Sequence, residues 1–400
     1  MARLVKQFSW ILLGRLMGAV IQAVSMALLA RWIGPADFAI FAASYGIALV
    51  IQTVGDFGLS AHIVRSRAQN SQDPAAGSAL KTLAWINMAI CVIGLMAAGA
   101  AVAIDPKFLP LVPLAVWLAA DKHVEAWLGI PLADGRAWQN ATSLVFRRTI
   151  ALAFLLSSLA LGHGELYMYC LGLAVGSMIA AATVQRSNKA LVQYGSKTEF
   201  RDAFRKSRPF YSNSVATQVR NFDTLLVGLV LSPVASGLYG AASRLTSPLR
   251  MVPTSFANIL MPIAARQANG GSERILKPIL ALLGFTTLMY AGIATAIPFV
   301  ITPLLGKDYD EAIPVIQIVC IGLIFAAVAS PVNSLLQGWG HLAAVSWISW
   351  FTTGYCLIAI LLLGSIFGVS GCGLALATSY VLQVLMQAIY LWKTKGRHQK

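Results

Sequence analysis

The sequence has few charged residues: Asp, Glu, Lys and Arg make up 11% of its 400 residues. In a typical water-soluble domain about a quarter of the residues are charged. Apolar residues account for 58% of the chain, and the mean hydropathy is +0.71. This composition excludes an ordinary soluble domain and indicates a protein that spans the lipid bilayer.

Cysteines and the motifs of catalytic or metal sites are also scarce. The five cysteines show neither CxxC nor Cys/His spacing, which argues against a disulfide framework and against a metal site. The sequence lacks a GxxxxGK(S/T) nucleotide loop, an HExxH zinc motif and a GxSxG hydrolase motif. We therefore expect no catalytic residue, no metal and no cofactor. An ion gradient or removal of product would supply the energy.

Long apolar runs are what the sequence does contain, and they predict an all-α polytopic membrane protein with twelve transmembrane helices. The predicted spans are residues 9–31, 38–62, 81–104, 108–131, 145–161, 164–185, 209–231, 235–261, 278–303, 314–337, 341–364 and 369–392. The fourth is the weakest, because charged residues interrupt it between Asp121 and Glu125.

The basic residues are distributed unevenly between the two sides of these spans. Of the 30 Lys and Arg, three fall on the side opposite the N-terminus, five lie within spans, and 22 fall on the side of the N-terminus if Lys81, Arg147 and Arg148 are counted there, at the ends of their spans. The positive-inside rule then predicts that both termini lie in the cytoplasm. Most of the formal charge of +15 is thereby explained by topology and by contact with anionic membrane lipids, so we expect no nucleic-acid partner.

The chain divides at its one long connection, which contains seven cations and two anions. The predicted organisation is an N-terminal lobe of six spans at 1–185, a basic cytoplasmic linker at 186–208 and a C-terminal lobe of six spans at 209–400. The segment IGPADFAIFAAS at 33–44 also aligns with LSPVASGLYGAAS at 231–243 if one residue is gapped. Such a parallel internal repeat predicts two similar lobes around a central substrate cavity.

Loose patterns of Gly, Pro and small residues along nearly the whole chain indicate a family. These segments are LLARWIGPADFAIFAASY, DFGLSAHIVR, NFDTLLVGLVLSPVASGLYGAASRLTSPLR, LLGKDYDEAIPVIQIVCIGLIF, SLLQGWGH and GVSGCGLALATSY. In them the chain resembles the oligosaccharide flippases, or polysaccharide transporters, of the superfamily that also contains multidrug-and-toxin exporters and peptidoglycan lipid flippases. Ala39 stands where the family often has Gly, and His341 where it often has Arg or Lys.

The resemblance implies an inner-membrane carrier that works by alternating access. Its implied cargo is a polyprenyl-diphosphate-linked oligosaccharide, moved from the cytoplasmic to the outer leaflet for the synthesis of O-antigen, exopolysaccharide or capsule. A polysaccharide polymerase and assembly proteins are the further partners that it suggests.

Nine ionisable residues lie inside the predicted spans, where a charge costs roughly 2.5 to 3.5 kcal/mol at the centre of a helix. They must therefore pair or face water, and polar residues recur at helical spacing around several of them. The expected cavity residues are Arg220, Arg250, Arg244, Arg15, Asn213, Thr217, Gln22 and Gln52. The expected ion-pair or coupling residues are Asp56, Asp223, Asp121 and Glu125.

Counting residues from the outer turns places Arg15 level with Asp56, and Asp223 level with Arg244. Each pair is a candidate ion pair in the cavity or an internal bridge between adjacent helices. Arg220 and Arg250 have no acidic residue at their depth, and a planar guanidinium suits the oxygens of a diphosphate. For Asp121 and Glu125, a gate or cation-coupling site is one interpretation; the favoured one is that the fourth helix ends early and leaves them solvated.

Two alternative functions are considered. A multidrug exporter would need acidic residues in its cavity to attract cationic drugs, whereas the predicted interior without the fourth span has a net charge of +2. A membrane polysaccharide polymerase would need more than the outer loops of about four to ten residues that the predicted spans leave.

Overall fold

The computed structural model describes residues 2–162, 164–194, 200–251, 253–257 and 272–395. Within these ranges all regular secondary structure is helical, and no strand occurs. Helices satisfy their own backbone hydrogen bonds, which a chain surrounded by hydrocarbon requires. The predicted all-α fold is confirmed.

Twelve α-helices with defined bounds occur in the described part of the chain, in addition to the helical residues 253–257, and we number them in chain order. They are α1 (Ala2–Asp56), α2 (Leu59–Gln69), α3 (Pro74–Ile104), α4 (Val112–Ala133), α5 (Trp138–Leu161), α6 (Glu165–Asn188), α7 (Phe200–Val219), α8 (Asp223–Val230), α9 (Pro233–Thr246), α10 (Ser272–Leu305), α11 (Ala312–Gly338) and α12 (Leu342–Lys395).

Two of these helices each contain two predicted spans, separated at a glycine. The backbone of α1 leaves the helical conformation at Gly34, with φ 75° and ψ 170°, and that of α12 leaves it at Gly368, with φ 62° and ψ −145°. Glycine adopts positive φ without the steric cost that a Cβ would impose. Conversely, α7 and α8 together form the seventh predicted span. One numbered helix therefore does not always correspond to one membrane span. The prediction of twelve spans is confirmed.

Seven helical stretches in the described residues are long and apolar enough to cross a membrane. They are Leu13–Asp56, Pro74–Ile104, Trp138–Leu161, Glu165–Leu191, Leu280–Leu305, Ala312–Gly338 and Leu342–Lys393. Large apolar side chains on their outside, such as Leu288 at 77% exposed and Phe299 at 81%, suit contact with lipid. The chain is a multi-pass membrane protein.

The helices outside that set are interrupted by 3₁₀ turns. A 3₁₀ turn at Arg220–Phe222 separates α7 from α8, and a second one at Ser247–Arg250, which contains Pro248, follows α9. Proline cannot donate the backbone hydrogen bond that a continuous α-helix needs. The two arginines expected to bind a diphosphate, Arg220 and Arg250, thus both lie in 3₁₀ turns.

The chain forms two compact units. The first contains Met1–Ile33 and Ser44–Tyr211, and the second contains Gly34–Ala43 and Ser212–Lys400. In the first unit an apolar cluster joins α2, α3 and α4, with Leu59, Leu83 and Trp127 among its buried members. Val192, just beyond α6, packs into the same cluster.

In the second unit α9 packs closely against residues 34–43. The carbonyl oxygen of Pro35 occupies the space where a Cβ on Gly237 would lie, and a Cβ on Gly240 would be 3.1 Å from that of Ala42. These are the two segments that the internal sequence match relates. Each depends on small residues because its backbone lies against the other segment.

Two sequence-based expectations about the helices are wrong. The fourth helix does not end early, since α4 continues through Asp121 and Glu125 to Ala133. The fifth helix starts at Trp138, seven residues before the predicted start of the fifth span at residue 145, so Arg147 and Arg148 lie well inside α5 and not at its end. Asp121 on α4 is paired with Arg147 on α5, which makes both charges compatible with a helix interior.

Some expectations fall outside the described residues. The end of the eighth predicted span, residues 258–261, is among these, as are residues 195–199 of the predicted linker.

Candidate functional site

A cavity of about 230 Å³ lies in the second unit. Residues of α7, α8, α9, α11 and α12 and of both 3₁₀ turns surround it. Its lining residues are Thr217, Gln218, Arg220, Asn221, Asp223, Ser243, Arg244, Thr246, Ser247, Arg250, Val319, Leu323, Leu376 and Tyr380. The structure therefore brings five of the predicted site residues together: Thr217, Arg220, Asp223, Arg244 and Arg250.

Arg220 and Arg250 both lie over the aromatic ring of Tyr380. Their guanidinium carbons are 5.1 Å and 5.4 Å from the ring centroid. A cation within about 6 Å of an aromatic centroid is attracted by the negative face of the ring. One tyrosine on α12 thus positions two cationic groups that are 30 residues apart in the sequence.

Neither of these two arginines has an acidic partner. In the described part of the chain no ion pair involves Arg220 or Arg250. The Nε atom of Arg220 is buried and has no hydrogen-bond partner there. A buried guanidinium donor without an acceptor is costly, and a bound anion would supply the acceptor.

The predicted ion pair between Asp223 and Arg244 is not formed. The buried carboxylate of Asp223 accepts hydrogen bonds from the hydroxyl of Tyr239 at 3.0 Å and from the backbone N–H and hydroxyl of Thr224. Arg244 donates to the side-chain oxygen of Asn221 at 3.0 Å and to the carbonyl oxygen of Ala42 at 3.2 Å. Tyr239 and Arg244 are five residues apart on α9 and so point in different directions.

The walls of this cavity are positively charged. Three guanidiniums and one carboxylate line it. That carboxylate, of Asp223, accepts its hydrogen bonds from neutral groups of Thr224 and Tyr239. Such a cavity attracts an anion and repels a cation, and the low dielectric of the membrane strengthens both effects. Asn213 is not among the residues that line this cavity. Its side-chain oxygen accepts a hydrogen bond from the hydroxyl of Ser349 at 2.7 Å.

A second cavity, of about 130 Å³, lies in the first unit between α1, α4, α5 and α6. Four further predicted residues line it: Gln22, Gln52, Asp121 and Glu125. The remaining lining residues are Ser25, Tyr45, Leu49, Trp117, Leu144, Arg147, Arg148, Ala151, Tyr169, Leu173 and Ser177. The predicted site residues thus form two groups, one in each unit.

Ion pairs connect the helices around the cavity of the first unit. Asp121 pairs with Arg147 and also accepts a hydrogen bond from the hydroxyl of Ser177 at 3.1 Å. The Nζ atom of Lys122 is 3.2 Å from carboxylate oxygens of both Asp56 and Glu125. Buried charges that are paired in this way can remain ionised within a helical bundle.

The predicted pair of Arg15 and Asp56 is therefore wrong. Asp56 is paired with Lys122 of α4 and accepts a hydrogen bond from Ser60, whereas Arg15 has an exposed side chain. Counting residues from a turn gives the depth of a side chain along the helix axis. It does not give the direction in which the side chain points, and here the two directions differ.

The lining residues that are missing from the sequence-based set include Tyr380, Trp117, Arg147 and Arg148. Tyr380 and Trp117 are difficult to predict as cavity residues, because tyrosine and tryptophan in apolar helices more often face lipid or the protein core. The arginine pair had a usable signal, since Arg147 and Arg148 follow an uncharged stretch that also suits a helix. Groups of His, Cys, Asp and Glu that could hold a metal are absent from the described residues.

A polar cluster outside the spans fixes the end of α4. Asp134 accepts two hydrogen bonds from the guanidinium of Arg67, at 2.9 Å and 3.0 Å, and one from Arg136 at 3.1 Å. The hydrogen bond from Arg67 is the main cause that lowers the pKa of the Asp134 carboxyl, and Arg136 lowers it further. Arg67 also donates to the carbonyl oxygen of Leu191, so this cluster connects α2, α4 and the end of α6.

Comparison with known proteins places this geometry in a family context. A family model described as polysaccharide biosynthesis protein matches residues 4–104. The structure of lipid II flippase MurJ in an inward closed conformation has a TM-score of 0.75 and 13% identity, over 96% of this chain and 87% of that one. The resemblance to flippases and polysaccharide transporters is confirmed.

Other solved structures share the same transporter fold. An inward-facing multidrug resistance MATE family transporter of the MOP superfamily has a TM-score of 0.72 and 14% identity, over 95% of this chain and 94% of its own. A MOP superfamily transporter from Pyrococcus furiosus is described as having a binding pocket of reverse polarity. Its TM-score is 0.68 and its identity 13%, over 98% of this chain and 95% of its own. A search of curated protein sequences finds no significant match.

Proposed function

We propose that this transporter is a flippase for polyprenyl-diphosphate-linked oligosaccharides, and that Arg220 and Arg250 bind the diphosphate. The observation that carries the proposal is that both guanidiniums lie over Tyr380, in the larger cavity, without an acidic partner. An unpaired charge in the membrane is unfavourable, and a diphosphate supplies the missing negative charge.

The chemistry of the cavity suits phosphate oxygens. A guanidinium stays charged when it is partly buried and donates two parallel hydrogen bonds to an oxyanion. The unpartnered Nε of Arg220 provides one such donor. Tyr380 contacts both guanidiniums and restrains them, so less side-chain entropy is lost when the anion binds.

Asp223 is compatible with an anionic cargo, although it is acidic. Its carboxylate is already hydrogen-bonded to Tyr239 and Thr224, which reduces its repulsion of an incoming diphosphate. Arg244, which is hydrogen-bonded to Asn221, adds a third positive charge to the lining. The net charge of +2 matches a ligand that carries at least two negative charges.

The proposed transport needs no covalent chemistry. The cargo would move by alternating access, from the cytoplasmic to the outer leaflet of the inner membrane, with both termini of the chain in the cytoplasm. The cytoplasmic bias of the basic residues supports this orientation. The cargo would serve cell-surface polysaccharide synthesis, with a polymerase and assembly proteins as its receivers, and the family model over residues 4–104 supports that setting.

Export of cationic drugs is the alternative within the same fold, because MATE transporters are among the similar structures. The excess of guanidiniums in the larger cavity opposes it, since a cationic drug would enter a cavity of its own charge. The same vesicles can test both functions.

The decisive experiment measures transfer of a fluorescent polyprenyl-diphosphate oligosaccharide in liposomes that contain the purified full-length chain. Protection from a membrane-impermeant quencher reports the initial rate. We expect Arg220→Gln and Arg250→Gln each to lower this rate about tenfold or more, which is the effect of losing one hydrogen bond to a charged group. Arg186→Gln is the matched control, because Arg186 is exposed at the end of α6.

Unchanged transfer in both Arg220→Gln and Arg250→Gln would remove the proposed site. If wild-type liposomes transfer a cationic dye and leave the saccharide untouched, the drug-export alternative replaces the proposed function.

A further inference from the structure

Arg148 in the first unit has a cationic group that the proposed diphosphate site does not use. It lies on α5 and lines the cavity of the first unit. The preceding residue, Arg147, pairs with Asp121, but Arg148 takes part in no ion pair or hydrogen bond among the described residues. The side chain of Arg148 is only partly exposed, and its Cδ atom packs near Gly18.

The acidic residues around Arg148 are already occupied. Asp121 is bound by Arg147 and Ser177, and Glu125 is 3.2 Å from the Nζ atom of Lys122. In total, the three carboxylates of Asp56, Asp121 and Glu125 face the three cations Lys122, Arg147 and Arg148. The set is neutral overall, and Arg148 is the cation that the pairing leaves over.

The other side chains of this cavity are those that proteins use against a sugar ring. Gln22 donates from its side-chain amide to the hydroxyl of Tyr45 at 3.2 Å, and in the described residues its amide oxygen has no partner. The rings of Tyr45 and Trp117 stack with centroids 4.8 Å apart, and Ser177 contributes a hydroxyl. Aromatic walls with a few placed polar groups are typical of small-molecule sites.

The size of the cavity agrees with one monosaccharide. Its volume of about 130 Å³ has room for roughly ten water-sized groups, close to the dozen or so non-hydrogen atoms of a sugar acid. The cavity is open on one side, because the side chain of Glu125 in its wall is 51% exposed.

The charge of this cavity distinguishes its ligand from a diphosphate. The larger cavity combines three arginines with one acidic residue, which suits a group with two or more negative charges. Here the three cations only balance the three carboxylates, and the guanidinium of Arg148 has no hydrogen-bonded acceptor, so the cavity offers a contact for one carboxylate and no surplus charge for a diphosphate. A carboxylate binds such a guanidinium through two parallel hydrogen bonds.

We infer that the cavity of the first unit is a sugar-binding subsite in which Arg148 binds the carboxylate of an acidic sugar. The inference rests on the proposed function and deepens it, because it assigns the cargo to the class of oligosaccharides that contain a sugar acid. Gln22, Trp117 and Ser177 contact the ring that bears this carboxylate.

The test compares glucuronic acid with glucose, which differ in a carboxylate and a hydroxymethyl group, by equilibrium dialysis against the purified full-length chain. We expect the unmodified protein to bind glucuronic acid at least tenfold more tightly than glucose. This comparison requires no variant, and equal affinities, or binding of neither sugar at millimolar concentration, would overturn the inference.

Variants then assign the preference to one side chain. Arg148→Gln should abolish the preference for glucuronic acid, and Arg148→Lys, which keeps the charge, should retain part of it. Arg220→Gln should leave it intact. A preference that survives in a folded Arg148→Gln protein contradicts the inference, as does loss of the preference in Arg220→Gln.

Farnesyl diphosphate separates this inference from the proposed function. We expect Arg220→Gln to lose binding of farnesyl diphosphate and Arg148→Gln to keep it. If Arg148→Gln loses the diphosphate probe as well, Arg148 belongs to the diphosphate site and the sugar subsite is wrong. If Arg220→Gln keeps the probe, the proposed diphosphate site fails while the result for Arg148 and glucuronic acid still stands.

Discussion

The ammonium group of Lys122 bridges Asp56 and Glu125, at 3.2 Å from an oxygen of each carboxylate. Lys122 is on α4 and Asp56 ends α1, so this cation connects two helices of the first unit. The side chains of Lys122 and Asp56 are only 13% and 12% exposed, which shields their interaction from water.

Lys122→Gln should therefore destabilise the protein strongly. Removing one member of a largely buried ion pair leaves an uncompensated charge and costs about 3 kcal/mol or more. Thermal unfolding in detergent should show a clearly lower Tm. Lys107→Gln is the control, because Lys107 forms an exposed pair with Asp105 and its loss should leave Tm unchanged. Combining Lys122→Gln with Asp56→Asn should recover part of the loss; no recovery would contradict a direct pair.

Tyr380 should act chiefly through its ring, which contacts both Arg220 and Arg250. Tyr380→Phe retains the aromatic face beneath Arg220 and Arg250, whereas Tyr380→Leu removes it. Two cation–π contacts at about 0.5 to 1 kcal/mol each correspond to a roughly 5- to 30-fold weaker binding of farnesyl diphosphate in Tyr380→Leu. Equal losses in the Phe and Leu variants would assign the effect to the hydroxyl.

Gly237→Ala should lower the yield of folded protein and its Tm. The added Cβ would collide with the backbone carbonyl of Pro35, which cannot move without displacing residues 34–43. Gly292→Ala is the matched control, since no atom lies near its Cβ position in α10. The control should be neutral or slightly stabilising, because Ala favours a helix over Gly by about 1 kcal/mol. Similar Tm values for the two variants would refute the close packing.

Asp134 should make stability depend on pH in the acid range. Its pKa in the folded protein is lowered, chiefly by the hydrogen bond from Arg67, below the unfolded value of about 3.9. The carboxylate therefore contributes stability above the unfolded pKa, and this contribution is lost as the pH falls through the folded pKa. Unfolding midpoints measured from about pH 5 downward should fall less in Asp134→Asn and in Arg67→Gln than in the wild type. The same fall in all three would contradict the assignment.

The sequence was sufficient to predict the twelve spans because hydrocarbon imposes both a length and a composition on each helix. The turns near Gly34 and Gly368 could also be placed, since glycine and proline interrupt the apolar pattern there. The polar segment before Arg147 was misjudged, because polarity alone does not distinguish a loop from a helix whose charges have partners in another helix.

The candidate site was predictable in its residue types and only partly in its pairings. Helical spacing identified Thr217 and Arg220, which line the same cavity. It could not identify Tyr380, which comes from a helix 160 residues later in the sequence and reaches Arg220 only through tertiary packing. The partner of Asp56 was missed for the same reason, because that partner is on α4.

The segments 33–44 and 231–243 match each other in sequence and also pack against each other, at Gly237 on Pro35 and at Gly240 beside Ala42. In an isologous interface of a symmetric dimer, the same patch of two identical subunits meets itself. Here two segments of similar sequence form the contact within a single polypeptide. A larger residue introduced in one copy must therefore be matched by a smaller one in the other, so we expect these two segments to have changed together during evolution.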